Sequence, residues 1–410
     1  MKYPHTLLLL LPLLAMGCGR FSSASLAPVE VERETPEITM QHSYYTSNDS
    51  LHLLFKFEDA KEVVDILQKA TSYEYEIRTG GIEKDALIRG DSVDLPDRKI
   101  TDIEGQLQVQ LVLPAEVVQE PNVLHLRLWQ FLAGPELMGT KFRLPLSSKM
   151  LQKDYLLIEA STGKPLLQNY ATTGDKVLVR NYGGEAGVLK LQRFDADFMP
   201  APPPMSLRSA GGPRTISAAE VQTIAPGDTV TLQEEGIYLF DPNTNYARSI
   251  LVQPANYPQI TRTKEMLQPL IYLTTSEERE ALLNASDTKA AIDRFWLELA
   301  GNKAAARNLI QIFYSRVELA NKLYSSHKAG WATDRGMIHI ILGPPDGTNQ
   351  VGSTITWTYR ETETAPNIKF VFNKKENNFT ENHYELVRRR GYGEIWYSTV
   401  AKWRAGRINM

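Results

Sequence analysis

The hydrophobic period of this chain changes near Tyr257 from strand-like alternation to a helical pattern, and no other feature limits the possible folds as much. Before that point apolar residues recur at every second position in short runs. Leu51, Leu53, Phe55 and Phe57 alternate with His52, Leu54 and Lys56, and Leu107, Val109, Leu111 and Leu113 alternate with Gln108, Gln110 and Val112. Val123 to Phe131 behaves likewise. Such alternation turns one strand face into a core, and several such strands between turn signals predict a β-sandwich over residues 37–148. Lys61 to Lys69 fits one helical turn or a further strand equally well. A second block, 153–254, repeats the style without repeating the sequence, with strands predicted at Tyr155–Ile158, Lys176–Val179, Val188–Phe194, Asp228–Leu232, Ile237–Phe240 and Ser249–Val252. Between Pro200 and Pro213 the run PAPPPMSLRSAGGP cannot sustain a central strand. It reads as a loop laid over this second domain, with an extended ligand for an aromatic groove as the other reading.

From Tyr257 onward the period becomes helical. Thr275-Ser276-Glu277-Glu278 has capping-box spacing, Asp287 can cap a helix that Gly301 stops, and a longer helix is predicted from about Asn302 to Lys328. Next come an apolar run at Met337–Leu342, taken as a buried strand after a helix stop at Gly330, then a strand at Ile355–Tyr359. A hairpin pairing Lys369–Phe372 with Tyr384–Val387 follows, and Ile395, Trp396, Val400 and Trp403 suit a short amphipathic helix. The fold class expected is therefore mainly β with a C-terminal α+β domain over 257–410: two β-sandwich modules followed by a helical segment packed on a small antiparallel sheet.

A chain of 410 residues agrees with three domains of roughly 100–200 residues each. Its 45 basic and 48 acidic residues leave a net charge of -3, so no global field favours nucleic acid. Lys2 followed by the apolar Leu7–Leu14, too short to span a bilayer, reads as a signal peptide over residues 1–17. The single cysteine, Cys18, follows Ala15-Met16-Gly17, and the four together resemble a bacterial lipobox, which more often has leucine where Ala15 stands. That resemblance implies lipidation of Cys18, a polar tether over 18–36, and anchoring by acyl chains. Gly19–Pro28 carries no acidic residue, whereas surface-bound lipoproteins of Bacteroidota often have an acidic run there. The expected location is the periplasmic face of the outer membrane.

On the long helix, Leu309, Phe313, Val317, Ala320, Leu323 and Tyr324 share an apolar face, while Arg307, Gln311, Glu318 and Lys322 point away. Arg316 breaks that face. A buried guanidinium needs a partner, and Asp334 is the first candidate expected, Asp346 the second. Gly336 and Gly343-Pro344-Pro345-Asp346 read as devices that set chain direction, and Trp331 as a plug between helix and sheet.

The stretch Gly330 to Asp346, GWATDRGMIHIILGPPD, closely resembles the signature of the GWxTD-domain proteins, envelope proteins typical of Bacteroidota with no biochemical role assigned. That resemblance implies that the long helix, with Arg316 and the pair Ala320-Asn321, forms one unit with Gly330, Trp331, Asp334, Arg335, Gly336, Pro345 and Asp346. Two readings of an Arg316–Asp334 pair follow: a clamp locking helix to turn, or the lining of an anion or substrate site.

A search for catalytic sets yields little. There is no HExxH, GxSxG or phosphate-loop run, and one cysteine cannot build a zinc pair, so neither metal nor cofactor is implied. His327 reads as a helix C-terminal cap; Asp334 with His339, placed on the strand, is the weak acid–base candidate. Arg388-Arg389-Arg390 is the sharpest basic cluster and reads as a solvated loop or a contact patch for lipid headgroups or an acidic partner. The functional expectation is an outer-membrane-anchored scaffolding or interaction subunit of an envelope complex serving barrel assembly, secretion or glycan uptake. The alternatives are an enzyme acting on envelope glycan or peptide through Asp334, Arg335 and His339, and a carbohydrate-binding module using Trp129 or Trp357.

Overall fold

The computed structural model describes residues 38–59, 70–94, 100–101, 107–131, 137–183, 187–195, 197–207, 216–242, 244, 247–351, 353–360, 367–377 and 379–408. The predicted signal peptide, Cys18, the tether, Lys61–Lys69 and the end of the proline-rich run lie outside these residues.

The first sandwich comprises β1 (Ile38–Ser47), β2 (Ser50–Asp59), β3 (Ala70–Arg78), β4 (Leu87–Asp94), β5 (Ile100–Thr101), β6 (Leu107–Pro114), β7 (Val123–Phe131) and β8 (Leu137–Pro145). They form two four-stranded antiparallel sheets, ordered β1-β2-β6-β5 and β4-β3-β7-β8. The alternation supplies the core: Leu51, Leu53, Phe55 and Phe57 of β2 are 0 % exposed and face Leu124, Leu126 and Leu128 of β7. Leu53 stands opposite Leu111, so the apolar registers of β2 and β6 coincide.

The second sandwich comprises β9 (Tyr155–Glu159), β10 (Tyr170–Thr172), β11 (Lys176–Asn181), β12 (Leu189–Phe194), β13 (Glu220–Ile224), β14 (Thr229–Thr231), β15 (Gly236–Phe240) and β16 (Arg248–Gln253). Its sheets are ordered β10-β16-β15-β12-β13 and β14-β11-β9, with β10 and β16 parallel and the other pairs antiparallel. Each strand predicted in this block is present; β10 and β13, one very short and the other nearly all exposed, add to them. β15 is buried at all five positions. Tyr238 and Phe240 enter the sandwich core, whereas Ile237 and Leu239 face outward into a second cluster with Tyr170, Phe194, Leu251 and Tyr257, against which Ala329 and Phe379 pack. An uninterrupted apolar run is what a strand covered on both faces requires.

The C-terminal domain comprises α1 (Thr263–Leu267), α2 (Ser276–Leu283), α3 (Thr288–Ala300), α4 (Lys303–Tyr324) and α5 (Asp334–Leu342), then β17 (Gly347–Val351), β18 (Thr354–Tyr359), β19 (Ile368–Lys374) and β20 (Tyr384–Leu386), and finally α6 (Tyr392–Arg404). The helix punctuation expected at Thr275, Asp287 and Gly301 is present, and Asn302, expected only as the approximate start of the long helix, caps it. Thr275 and Glu278 form the capping box, Asp287 and Asn302 accept from Ala290 and Ala305 N–H groups, and Gly301 ends α3 at φ 75°. The four strands form one antiparallel sheet in sequence order. Its Trp357, Phe370 and Phe372, all 0 % exposed, pack into the helical core.

One element differs in kind. Met337–Leu342 is the body of α5, a helix, where a strand was expected. A short apolar run suits either element when it is covered on every side, and eight of the nine residues of α5 are buried. The local chemistry decides: the Thr333 hydroxyl accepts the Gly336 N–H at 3.1 Å, and Asp334 sits in the first turn, where a negative charge meets the helix dipole.

The proline-rich run also lies elsewhere than expected. Pro200–Ser206 rests on the C-terminal domain: Ala201 N–H donates to Ala332 O at 2.8 Å, Arg389 N–H to Pro204 O at 3.3 Å, and Ala201 is 3 % exposed within the helical core. Proline carbonyls keep their acceptors while the missing N–H groups need no partner, which suits a segment pressed against a preformed surface.

Candidate functional site

The signature is built onto α4. Asn321, fully buried on that helix, accepts Trp331 N–H through Oδ1 at 3.0 Å and donates from Nδ2 to Pro258 O at 3.1 Å. It thereby joins the start of the domain to the chain that returns after α4. The returning chain passes so close that a Cβ on Gly330 would lie 1.9 Å from Ala320 O. Gly330 is therefore a glycine for space, and the left-handed helix stop expected of it does not occur; it belongs to a 3-10 turn, Gly330–Ala332. Trp331 is the core plug expected, 9 % exposed, its carbonyl accepting from the Tyr272 hydroxyl at 3.3 Å.

Gly336 repeats the device, since a Cβ there would sit 1.9 Å from Gly330 O. The Thr333 hydroxyl donates to that same carbonyl at 2.8 Å while capping α5. Asp334 is 7 % exposed, and its carboxylate accepts Leu386 N–H at 2.9 Å and a two-pronged contact from Arg388, one arm at 3.2 Å from Nη1 and the other from Nη2. The Arg316–Asp334 pair is thus overturned, and so is the solvated reading of Arg388. Arg388 follows the buried Leu386 by two positions, so it returns to the same face, and it also donates to Pro202 O at 3.2 Å. Arg389 and Arg390 are exposed.

Arg316 lies at the other end of α5. Its Nη1 donates to Ile340 O at 3.2 Å and Ile341 O at 3.3 Å, and its guanidinium stands 5.3 Å from the Trp403 ring centre, whose Nε1–H donates to Ile341 O at 2.9 Å. Burial pushes Arg316 down to about 10, which leaves it charged at neutral pH. A buried helix of nine residues thus has an anion at its N-terminus and a cation at its C-terminus, and the cation satisfies carbonyls left over at the helix end. Asp346, the second partner expected for Arg316, is exposed and accepts Arg360 N–H at 2.7 Å beyond the buried Pro345.

Arg335 lies between two tyrosine faces, 5.0 Å from Tyr324 and 4.4 Å from Tyr384, and donates to the Asn382 carbonyl at 3.2 Å as well as to its side chain. Asn382 in turn donates to Ser325 O at 2.9 Å, binding the end of α4 to the sheet loop. His339 is 0 % exposed, lies 5.6 Å from the Tyr324 ring and has no hydrogen-bond partner for either ring nitrogen among the described residues. Burial, with the Arg316 charge second, pushes it down to about 3. His327 is not the expected cap: it is wedged between Phe198 and His383, at 4.7 and 4.5 Å, and burial pushes it to about 3, so it is neutral.

The structure therefore brings together Asn321, Gly330, Trp331, Asp334, Arg335 and Gly336, adds Arg388, and sets Arg316 at the far end of α5. Sequence reasoning missed Asn382, Thr333 and Tyr257, whose hydroxyl accepts Gly330 N–H at 3.3 Å. The Thr333 signal was present as a capping residue three positions before a glycine, whereas Asn382 carries no local signal because its partners are about sixty positions away in the chain. Chemically, the arrangement immobilises two helix ends and orders backbone dipoles. Among the described residues no group of three His, Cys, Asp or Glu side chains could hold a metal ion, and no helix is long and apolar enough to cross a membrane. Trp129, on the outer face of the first sandwich, donates to Glu74 at 3.0 Å, and Arg127 covers its ring at 5.0 Å.

These features define a mainly β protein whose C-terminal α+β domain is centred on a buried, charge-capped helix. Residues 236–405 match the family model of the GWxTD domain, and the chain is a GWxTD domain-containing protein. The match begins at β15, the strand whose outer face the C-terminal domain covers. No curated protein matches the chain.

Proposed function

We propose that this protein is a non-catalytic interaction or scaffolding subunit of an envelope protein complex, anchored in the outer membrane by acyl chains on Cys18 and facing the periplasm. The observation that carries this reading is how the signature's polar side chains are used. Asp334, Arg335 and Asn321 each spend their hydrogen-bonding groups on other parts of the same chain and are 7, 5 and 0 % exposed. Rigidity gained in this way suits a body that presents surfaces to partners, because a preorganised interface loses less freedom on binding. Barrel assembly, secretion and glycan uptake are the envelope tasks in which such a subunit fits. An enzyme working through Asp334, Arg335 and His339 would need to admit substrate to a packed interior, and a sugar platform at Trp357 would have to use a ring that is 0 % exposed.

Mild-detergent extraction followed by co-isolation tests the proposal. Outer-membrane barrel partners recovered in stoichiometric amount, and lost with Cys18→Ala, are the expected result. Recovery of the protein alone, with hydrolysis of envelope glycan or peptide that Asp334→Asn abolishes without altering the melting midpoint, would overturn it.

A further inference from the structure

The three arginines that follow β20 go different ways. Arg388 turns inward to Asp334, while Arg389 and Arg390 are exposed and form no ion pair among the described residues. Their backbone is held firmly. Arg389 N–H donates to Pro204 O at 3.3 Å, Arg389 O accepts Tyr392 N–H at 3.1 Å, and Arg390 O accepts Gly393 N–H at 3.0 Å, so both side chains project from a fixed turn between the strap Pro200–Ser206 and α6. Gly393 marks where strap and helix meet, since a Cβ there would lie 3.8 Å from Met205 Cβ and 3.8 Å from Tyr397 Cε2. Tyr397 is 66 % exposed, Pro203 is exposed and Met205 is half-buried. Gly391 is already in helical conformation, so Arg390, Glu394 and Tyr397, spaced by four and three positions, share one side of the chain.

The charge here is one-sided. From Val387 to Ile408 the chain carries six basic residues and a single acid, Glu394, although the whole chain has a net charge of -3. Of the six, Arg388 and Arg404 are bonded to Asp334 and Glu278, whereas Arg389 and Arg390 face solvent beside apolar groups. A ring exposed to that degree projects outward, where a peptide ligand would want a groove. Tyrosine with arginine beside it suits a lipid surface, because the ring settles at the headgroup level and the guanidinium meets phosphate. Cys18 and Ile38 are twenty positions apart, a reach of at most about 70 Å, so an anchor at Cys18 lets the body meet the bilayer but does not select a face. We propose that the face made by Pro203, Met205, Arg389, Arg390 and Tyr397 rests on the anionic lipid surface of the membrane and fixes which way the body points. The proposal rests on the Cys18 anchoring reading only for the identity of that membrane.

The test uses the mature chain, residues 18–410, with Cys18→Ala, so that no acyl group contributes; the mass of the native protein checks lipidation separately. The expected result is co-sedimentation with phosphatidylcholine vesicles that contain phosphatidylglycerol and little with phosphatidylcholine alone. Arg389→Gln with Arg390→Gln should lower the partitioning by about tenfold or more, each arginine near an anionic surface contributing roughly fivefold. Tyr397→Ser should lower it less, and Lys303→Gln with Arg307→Gln, two exposed cations on α4, should leave it nearly unchanged. No partitioning onto the anionic vesicles, or equal losses in the two double variants, overturns the proposal. So does stoichiometric capture of an acidic protein through Arg389 and Arg390 with no vesicle binding. Should the arginine variant lose its fold, hydrogen exchange of the unsubstituted face decides: slowing on anionic vesicles within 200–206 and 389–397 supports the contact, and slowing only elsewhere, or none, overturns it.

Discussion

At Gly330 and Gly336 the absent side chain is what matters, since each would place a Cβ 1.9 Å from a backbone carbonyl that cannot move without unpacking α4 or the 3-10 turn. Gly330→Ala and Gly336→Ala are each expected to cost at least about 2 kcal/mol, as overpacking against backbone usually does, and urea unfolding checks this. A loss below about 0.5 kcal/mol would mean that the chain can step aside. The corrected ion pairing is tested by a double-mutant cycle. Asp334→Asn and Arg388→Met should couple by more than about 1 kcal/mol, while Asp334→Asn and Arg316→Met should add, because those groups lie at opposite ends of α5. The buried histidines set the acid response. His339 and His327 titrate near 3 when folded and near 6.5 when unfolded, so below pH 6.5 the unfolded chain takes up protons that the folded chain refuses. Stability is therefore fully present above pH 6.5 and falls as pH drops toward 3, by up to about 1.4 kcal/mol per pH unit for each histidine. The wild type's chemical-denaturation slope against pH should lessen in His339→Leu; an unchanged slope would exclude His339 as a contributor.

Among the elements, α5 has the most unusual character, a short helix buried nearly all round with charged groups at both ends. Burying its polar ends is tolerable because Thr333 accepts an N–H of the first turn, the Asp334 charge meets the helix dipole, and Arg316 donates to the last carbonyls. α6 completes the cover, with Trp403 0 % exposed against α5 and Arg404 bonded to Glu278 at 2.7 Å. Ending the chain at Gly391 would uncover Ile341, Phe313 and the Arg316 guanidinium together. The expected result is a soluble yield and melting midpoint well below wild type, measured by thermal scanning; an unaltered midpoint would show that α6 is dispensable. The strap Pro200–Ser206 is the second element placed by distant contacts, since its partners Ala332, Arg388 and Arg389 lie in the last domain.

Across the whole molecule, the second sandwich and the C-terminal domain share a core. The outward face of β15 and β16, the Tyr170–Tyr257 contact at 5.1 Å and the Phe194–Phe379 contact at 5.2 Å join them, together with the strap. A fragment of residues 257–410 is expected to unfold at lower urea than 153–410, and the longer fragment should unfold in a single transition by both tryptophan fluorescence and circular dichroism. Two separate transitions for 153–410 would mean that the shared face contributes little. The first sandwich attaches through contacts that include the stacking of Tyr45 on Tyr182 at 3.8 Å and the Thr46–Lys153 backbone bond.

Much of this architecture was legible in the residues themselves. Alternation at Leu51–Phe57 and Leu107–Leu113, capping residues at Thr275 and Asp287, and the apolar face of α4 are local signals, because strand and helix periods and orphan end groups act within a few residues. So was the prominence of the Gly330–Asp346 stretch, since glycine, proline and tryptophan so closely spaced mark a place where backbone geometry is demanding. What the chain alone could not decide was which charge meets which. Arg316 shows its need for a partner, yet whether that is Asp334 or the carbonyls ending α5 depends on where the helix points. Met337–Leu342, covered on all sides, carries no period that separates strand from helix, although Thr333 and Asp334 mark a helix start locally. Those outcomes rest on contacts between residues tens to nearly two hundred positions apart, where burial removes water as the competing partner and leaves geometry to select among the remaining donors and acceptors.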